Sequence, residues 1–390
     1  MKHASCGALA ALALAVAIGG CGKAERVDAG PTTVAVTADL NHCGGPWSAP
    51  HGGPVTFVVT NRFREPTDVN VANAETGEVY AELEGIGSGA TLKQTVTLGN
   101  GSHQLQCFPN DERPALGPIA KVTDAPATAH PTPGVVPVTL GDMARPTVAY
   151  QQWVSDRLPT LLAQVRDLAA DVRSGATAQA ERDWLTAHLT YETLGAAYDA
   201  FGPLGEAVNG LASNGETALT DRDLTGFHRI EALLWSGAPA AELSPAVATL
   251  EHDVRLLIRQ FHSAQIDPNI IALRAHEIVE NAIELELNAT TDAGSHSNLA
   301  TIGANLQGAA KTLELIAPLL RSRYPALRET TAALASSQRL VARFAHGGRT
   351  SSLEGLTTAE RQRLNASLEQ LVELLAPVAA ICDLRSVPAR

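Results

Sequence analysis

A proline-rich stretch, Ala125-Pro126-Ala127-Thr128-Ala129-His130-Pro131-Thr132-Pro133-Gly134, divides this chain into two texts that cannot share one layer of structure. Its three prolines fix their own φ and donate no amide hydrogen, so the stretch reads as a semi-stiff spacer, with the linker set at 125–139. Before it, segments 32–39, 54–60, 67–72, 77–84, 90–98, 102–108 and 119–123 alternate apolar with polar residues or are rich in Val, Thr and Leu. Gly52-Gly53, the glycines between 85 and 89, and Gly99-Asn100-Gly101 punctuate them. Short strands with no helical period between them predict an antiparallel Greek-key β-sandwich over 32–124.

After the spacer the period changes. Segments 150–172, 178–201, 221–235, 245–261, 269–287, 299–320 and 359–382 carry Ala and Leu at helical spacing. Ser174-Gly175, Gly202-Pro203, Gly237 and Asp267-Pro268 supply the stops. An all-α bundle over 140–386 is expected, and two domains suit a length of 390 residues.

The first residues carry an address. Lys2, an apolar run over 8–18 and the small pair Gly19-Gly20 describe a secretory signal, residues 1–20, too short to span a bilayer. Ile18-Gly19-Gly20-Cys21 resembles a bacterial lipobox, in which the leader is cut before the cysteine and the thiol takes a lipid. An ordinary signal peptide with an incidental cysteine is the alternative. The polar, small residues of 21–31 read as a tether. The expectation is an exported protein, lipid-anchored through Cys21 on the extracytoplasmic face of a bacterial membrane, in a periplasm or cell envelope. Export favours disulfides, and Cys43 and Cys107 fall in one expected domain, so they are expected to pair. Cys382 is then a spare in the last helix. With 29 Lys+Arg against 41 Asp+Glu, the net charge of −12 disfavours nucleic acid and suits cations.

Three stretches carry metal-ligand chemistry. In Thr225-Gly226-Phe227-His228-Arg229-Ile230-Glu231, His228 and Glu231 lie three apart and share a helix face, presenting imidazole and carboxylate to one point. Alone, H-x-x-E describes a surface ion pair equally well. His276, Glu280 and Glu284 form a second stripe at i, i+4, i+8, which also fits a solvated acidic face. Glu192 and Asp199, seven apart, form the third, after His188. Inward carboxylates and histidines of this kind build metal sites in helical bundles.

These stretches carry a resemblance. Gly226-Phe227-His228-Arg229-Ile230-Glu231, followed by Leu234-Trp235, resembles the G-x-H-x-x-E signature of the imelysin-like family. Stretches 187–201 and 274–306 are similar to the same family's helical domain. A β-sandwich and lipobox before such a domain resemble the EfeO-type family of extracytoplasmic iron-uptake lipoproteins, whose front domain is cupredoxin-like. The resemblance implies a binding protein that captures ferrous or ferric iron. Its partners would be an iron permease and a dye-decolourising-type haem peroxidase. His228 and Glu231 match the family's metal pair; Glu192, Glu280 and, more loosely, Asp199 are expected to complete the shell. His276 and His296 stand as further ligands or as hydrogen-bonding residues. Oxygen-rich donors favour iron over copper(I), with zinc and copper still chemically open.

Cys107 has neither His nor Met close behind it, so a blue-copper centre is not expected in the sandwich. Glu75, Glu78, Glu82 and Glu84 read as a weak second cation site or a polar sheet face. The enzyme alternative is an imelysin-type metallopeptidase. Against it, His276-Glu277 is followed by Glu280-Asn281, where an H-E-x-x-H enzyme needs its second histidine. A metal-free sensor or adhesion lipoprotein is the third class.

Overall fold

The computed structural model describes residues 32–49, 51–109, 114–213, 215–346 and 352–384. The signal peptide, Cys21 and the tether lie outside the described residues, as does the end of the helical region beyond 384. The chain is β-structure followed by helices.

The strands are β1 (Thr32–Ala38), β2 (Gly53–Asn61), β3 (Thr67–Asn73), β4 (Val79–Ile86), β5 (Thr91–Leu98), β6 (Gly101–Pro109), β7 (Ala115–Leu116) and β8 (Ala120–Val122). One sheet has the order β1-β2-β5; the other runs β4-β3-β6-β7, with β8 also paired to β6. Alternation does the sorting: Val34 and Val36, Val55, Phe57 and Val59, and Val69 and Val71 all enter one shared core. The purely antiparallel expectation fails at one place, because β1 pairs with β2 in parallel. Parallel neighbours need a crossover rather than a hairpin, and residues 39–52 provide it. Cys43 sits in that crossover and forms a disulfide with Cys107 of β6, Cα–Cα 5.5 Å.

The spacer is not free of the sheets. Val135 and Val79 exchange both backbone hydrogen bonds at 2.9 Å, and the Thr132 amide donates to Thr97 O at 2.9 Å. On its far side Arg323 Nε donates to Val136 O at 2.7 Å, fastening the spacer to the helical region.

Ten α-helices follow among the described residues: α1 (Leu140–Ser174), α2 (Thr177–Glu192), α3 (Tyr198–Phe201), α4 (Pro203–Asn209), α5 (Gly226–Trp235), α6 (Ala240–Phe261), α7 (Ile270–Asn281), α8 (Asn298–Leu320), α9 (Leu327–His346) and α10 (Thr358–Cys382). Helix α1 starts ten residues before the apolar period does, because Thr139 and Asp142 close a capping box that sets its first turn. Helix α9 lies outside the segments expected to be helical, although its buried Leu334, Leu340 and Val341 carry a helical stripe. Helix α10 is long and apolar enough to cross a membrane, by length and composition only. Its Leu364, Leu368, Leu371 and Leu375 are nevertheless buried in the bundle core.

Cys382 ends α10 as a free, buried cysteine, and burial pushes its thiol up to about 11. A chain beginning at Gly22 should therefore resist iodoacetamide at about pH 8 while folded, because little thiolate forms. Mass spectrometry should count one alkylated cysteine after unfolding without reductant. Alkylation of the folded chain would contradict the burial.

Candidate metal centre

The start of one helix, the end of another and one loop converge on the bundle's buried polar cluster. Helix α5 begins at Gly226 with φ +79°, where a Cβ would lie 2.2 Å from Val208 O. Only glycine fits both the left-handed backbone and the close approach. One turn on, His228 and Glu231 are buried at 6% and 4% exposure. The intervening Arg229 donates to the carbonyls of Ala218 and Leu219 at 2.7 and 2.9 Å, fastening the loop before the helix.

From α2 come His188 and Glu192, one turn apart on the buried face. His188 Nε2 lies 3.2 Å from Glu192 Oε1 and Nδ1 lies 3.8 Å from Asp292 Oδ1, yet neither ring nitrogen has a well-aligned hydrogen-bond partner. Glu192 Oε1 accepts from Asn209 Nδ2 at 2.7 Å. The Asn305 amide, assigned with its nitrogen toward Glu192, donates to Oε2 at 2.8 Å.

The loop between α7 and α8 supplies the rest. Helix α7 passes into a π-helical turn, Ala282–Glu286, and Glu286 at its end is buried at 5% exposure. Then Ala289, Asp292 and His296 all adopt positive φ, near 50°. Three non-glycine residues in that region mark a loop held against its preference, as functional loops often are. Its backbone grips Glu231: Oε1 accepts from Gly294 N at 3.0 Å, Ser295 N at 2.8 Å and Ser295 Oγ at 2.8 Å. Oε2 is left facing His228 Nδ1 at 4.0 Å. Asp292 repeats the pattern, Oδ2 accepting from Ser297 Oγ at 2.9 Å and Thr301 Oγ1 at 2.5 Å, with Oδ1 buried and unpartnered.

His188, His228 and Asp292 each offer one donor atom, all within 4.8 Å of one another. Metal bonds of about 2.1 Å require ligand atoms somewhat closer than that, so a cation would draw the three inward slightly. Glu231 Oε2 adds a fourth donor beside His228. Such a set, two imidazoles and two carboxylate oxygens, suits a divalent first-row cation. A cavity of about 180 Å³, lined in part by Glu192, His228, Glu286, Asn305 and Arg274, adjoins the donors.

The cluster balances its own charge. Burial alone would depress the His188 imidazolium, but Asp292, Glu192 and Glu286 outweigh it and raise its pKa to about 9. Burial likewise opposes ionisation of Glu192 and Glu231, yet contact with His188 and with His228 respectively holds both below the usual carboxylate range. Glu286 goes the other way, to about 8, through burial and the charges of Asp292 and Glu192.

Of the five residues expected as ligands, the structure gathers His228, Glu231 and Glu192. Asp199 is half exposed and pairs with Arg274, because α2 ends at Glu192 and α3 starts a new axis. Glu280 is also half exposed, 3.3 Å from its neighbour His276 on the outer stripe of α7. His296 meets Glu354 at 3.4 Å on the surface. Between β3 and β4, Glu75 accepts from Ser102 and Glu78 from Thr76, bonds of a polar surface. Sequence reasoning missed Asp292 and Glu286 and passed over His188 as a ligand. The i, i+4 spacing of His188 to Glu192 was a usable signal; Asp292 sits in an irregular loop that has none.

The family model for imelysin, peptidase M75, matches residues 146–378, more than half of the chain and the whole of this centre. The chain belongs to the imelysin family. It is 23% identical over 333 residues to the iron uptake system component EfeO of Yersinia pestis, covering 85% of this chain and 86% of that protein. To EfeO of Escherichia coli (strain K12) it is 21% identical over 353 residues, 90% of this chain and 92% of that one. It is thus similar to EfeO-type components across both the sheets and the imelysin domain. Among solved structures, an imelysin-like protein from Psychrobacter arcticum 273-4 aligns with a TM-score of 0.48 and 16% identity, over 63% of this chain and 96% of its own.

Proposed function

We propose that this chain is the extracytoplasmic, membrane-tethered iron-binding component of an iron uptake system, holding ferrous or ferric iron and passing it to a membrane permease. The observation that carries the reading is the buried donor set of His188, His228, Asp292 and Glu231, in which each carboxylate keeps one oxygen bound by the protein and one bare. The similarity to EfeO over both halves of the chain supports iron as the cargo. In this reading the partners are an iron permease and a dye-decolourising-type haem peroxidase, and Cys21 carries the lipid. The sheets over 32–124 form a cupredoxin-like unit joined by 125–139 to the helical domain of 140–386. With Cys107 in a disulfide, that unit has no thiolate to offer copper.

The mechanism is ligand exchange without bond-breaking chemistry. Before the cation arrives, the proton on His188 offsets the surrounding carboxylates. The cation takes that place, because imidazole binds metal only when the chosen nitrogen is unprotonated. Release reverses the exchange, when a proton or a partner's donors compete.

Anaerobic calorimetry with ferrous iron on the chain from Gly22 tests the reading at near-neutral pH. One saturable cation per chain is expected, with no cleavage of denatured protein substrates. Absence of iron binding would overturn the carrier, and metal-dependent proteolysis would move the chain to the peptidases that give the family its name. A companion measurement follows the protons. Because the pKa of His188 lies near 9 without metal, each cation should release about one proton at pH 7, and affinity should rise with pH until about 9. Zero release, read as identical heats in buffers of different ionisation enthalpy, would contradict it.

A further inference from the structure

Two histidines face this centre without hydrogen bonds to fix their rings, and one aromatic side chain touches the support of both. Trp184, fully buried on α2, stacks on the His188 ring at a centroid distance of 4.7 Å and an interplanar angle of 29°. Its indole Nε1–H donates at 2.9 Å to the carbonyl of Phe227, the residue immediately before His228. Its edge meets Trp235 at 5.3 Å, and Trp235 packs against Gly294, where a Cβ would come within 3.0 Å of the Trp235 Cβ. Gly294 N is one of the three donors on Glu231.

We propose that Trp184 is the positioning residue of the cation site, setting the imidazoles of His188 and His228 before any cation binds. The inference rests on the carrier reading. Metal-bound histidines are usually oriented by a hydrogen bond from the second ring nitrogen, and removing that support typically weakens binding 10- to 100-fold. Here such a bond is missing at His188, where both ring nitrogens lie near carboxylates without alignment. The flat face of Trp184 does the orienting instead, since a stacked pair resists tilting of either ring. Its N–H fixes the first turn of α5, from which His228 projects. A single rigid side chain therefore ties a ligand on α2 to a ligand on α5, across which no direct hydrogen bond runs in the described residues.

Cobalt(II) is a suitable probe, because its visible ligand-field band reports the number and geometry of donors besides affinity. Trp184→Phe keeps a ring against His188 but removes the donor to Phe227, and it should bind cobalt about 3- to 10-fold more weakly with a shifted band. Trp184→Leu removes both contacts and should lose about 10- to 100-fold. Trp153→Leu, half-buried on α1 against Tyr150 and Arg157, controls for general loss of aromatic packing and should leave the band unchanged. Parent-like affinity and band in Trp184→Phe would overturn the inference, whether or not Trp184→Leu folds. A parent chain that binds no cobalt and no iron would overturn the carrier reading and this inference together. A parent that binds beside unchanged Trp184 variants would overturn this inference alone.

Discussion

His228→Ala is expected to weaken iron binding by about 100-fold or more, with little loss of helical content. Structural zinc sites bind with about 10–16 kcal/mol, and on that scale one donor of four is worth about 3 kcal/mol, or two powers of ten. His228 lines the cavity and lies 4.0 Å from Glu231 Oε2, so truncation removes one donor and also the imidazole that helps keep buried Glu231 ionised. Glu231→Gln should behave differently. It keeps the shape and an amide oxygen that can still accept from Gly294 and Ser295, so the loop stays held while the NH2 that replaces Oε2 has no lone pair to give a cation. Tryptophan fluorescence reads both variants, because Trp184 lies against His188 and a paramagnetic ion in the centre should quench it. Unchanged quenching in His228→Ala would move the site elsewhere.

The second large effect is on stability. Replacing Cys43 and Cys107 together by alanine should destabilise the β-unit by about 4 kcal/mol. The bridge closes a loop with a sequence separation of 64, and chain-entropy arguments give that magnitude for loops of this order. For a unit of this size the melting temperature should fall on the order of 20 °C. Trp47 reports it selectively: it stands edge-on to Phe57 at 5.2 Å in the sheet core, whereas the other tryptophans lie in the helices. The helical transition and its iron binding should stay where they were. Identical melting of the double variant and the parent would mean that the β-core alone holds the sheets. Loss of iron binding in the same variant would mean that the two halves are not separable in function.

The change of period at the spacer was enough to place strands before and helices after it, because side-chain alternation and helical spacing are local properties of the text. What local periodicity does not carry is where a helix bends. The stripe of His276, Glu280 and Glu284 is a sound helical face, but it is the outer one: Ala275, Ile278, Val279 and Ala282 take the inner side. Glu286 rather than Glu284 arrives at the centre, because it lies four residues after the inward-facing Ala282 whereas Glu284 continues the outer stripe. Likewise Asp199 stays on the face of Glu192 only if the helix continues, but α2 ends at Glu192 and a tighter turn follows at Gly195. There a Cβ would come within 2.9 Å of Ile278. The pair His228 and Glu231 was legible because three residues of regular α5 separate them. Asp292 was not, since its place depends on a left-handed loop whose shape comes from contacts made elsewhere.

A carboxylate with one oxygen fastened cannot turn to chelate with both. Glu231 and Asp292 are each limited in this way, by Ser295 and Gly294 on one side and by Ser297 and Thr301 on the other. Each therefore offers a cation a single tooth, and detachment can proceed one bond at a time while the freed oxygen stays in place. In the carrier reading proposed above, the consequence is kinetic: residence can be short even where affinity is high, and an emptied cradle would need no refolding before its next load.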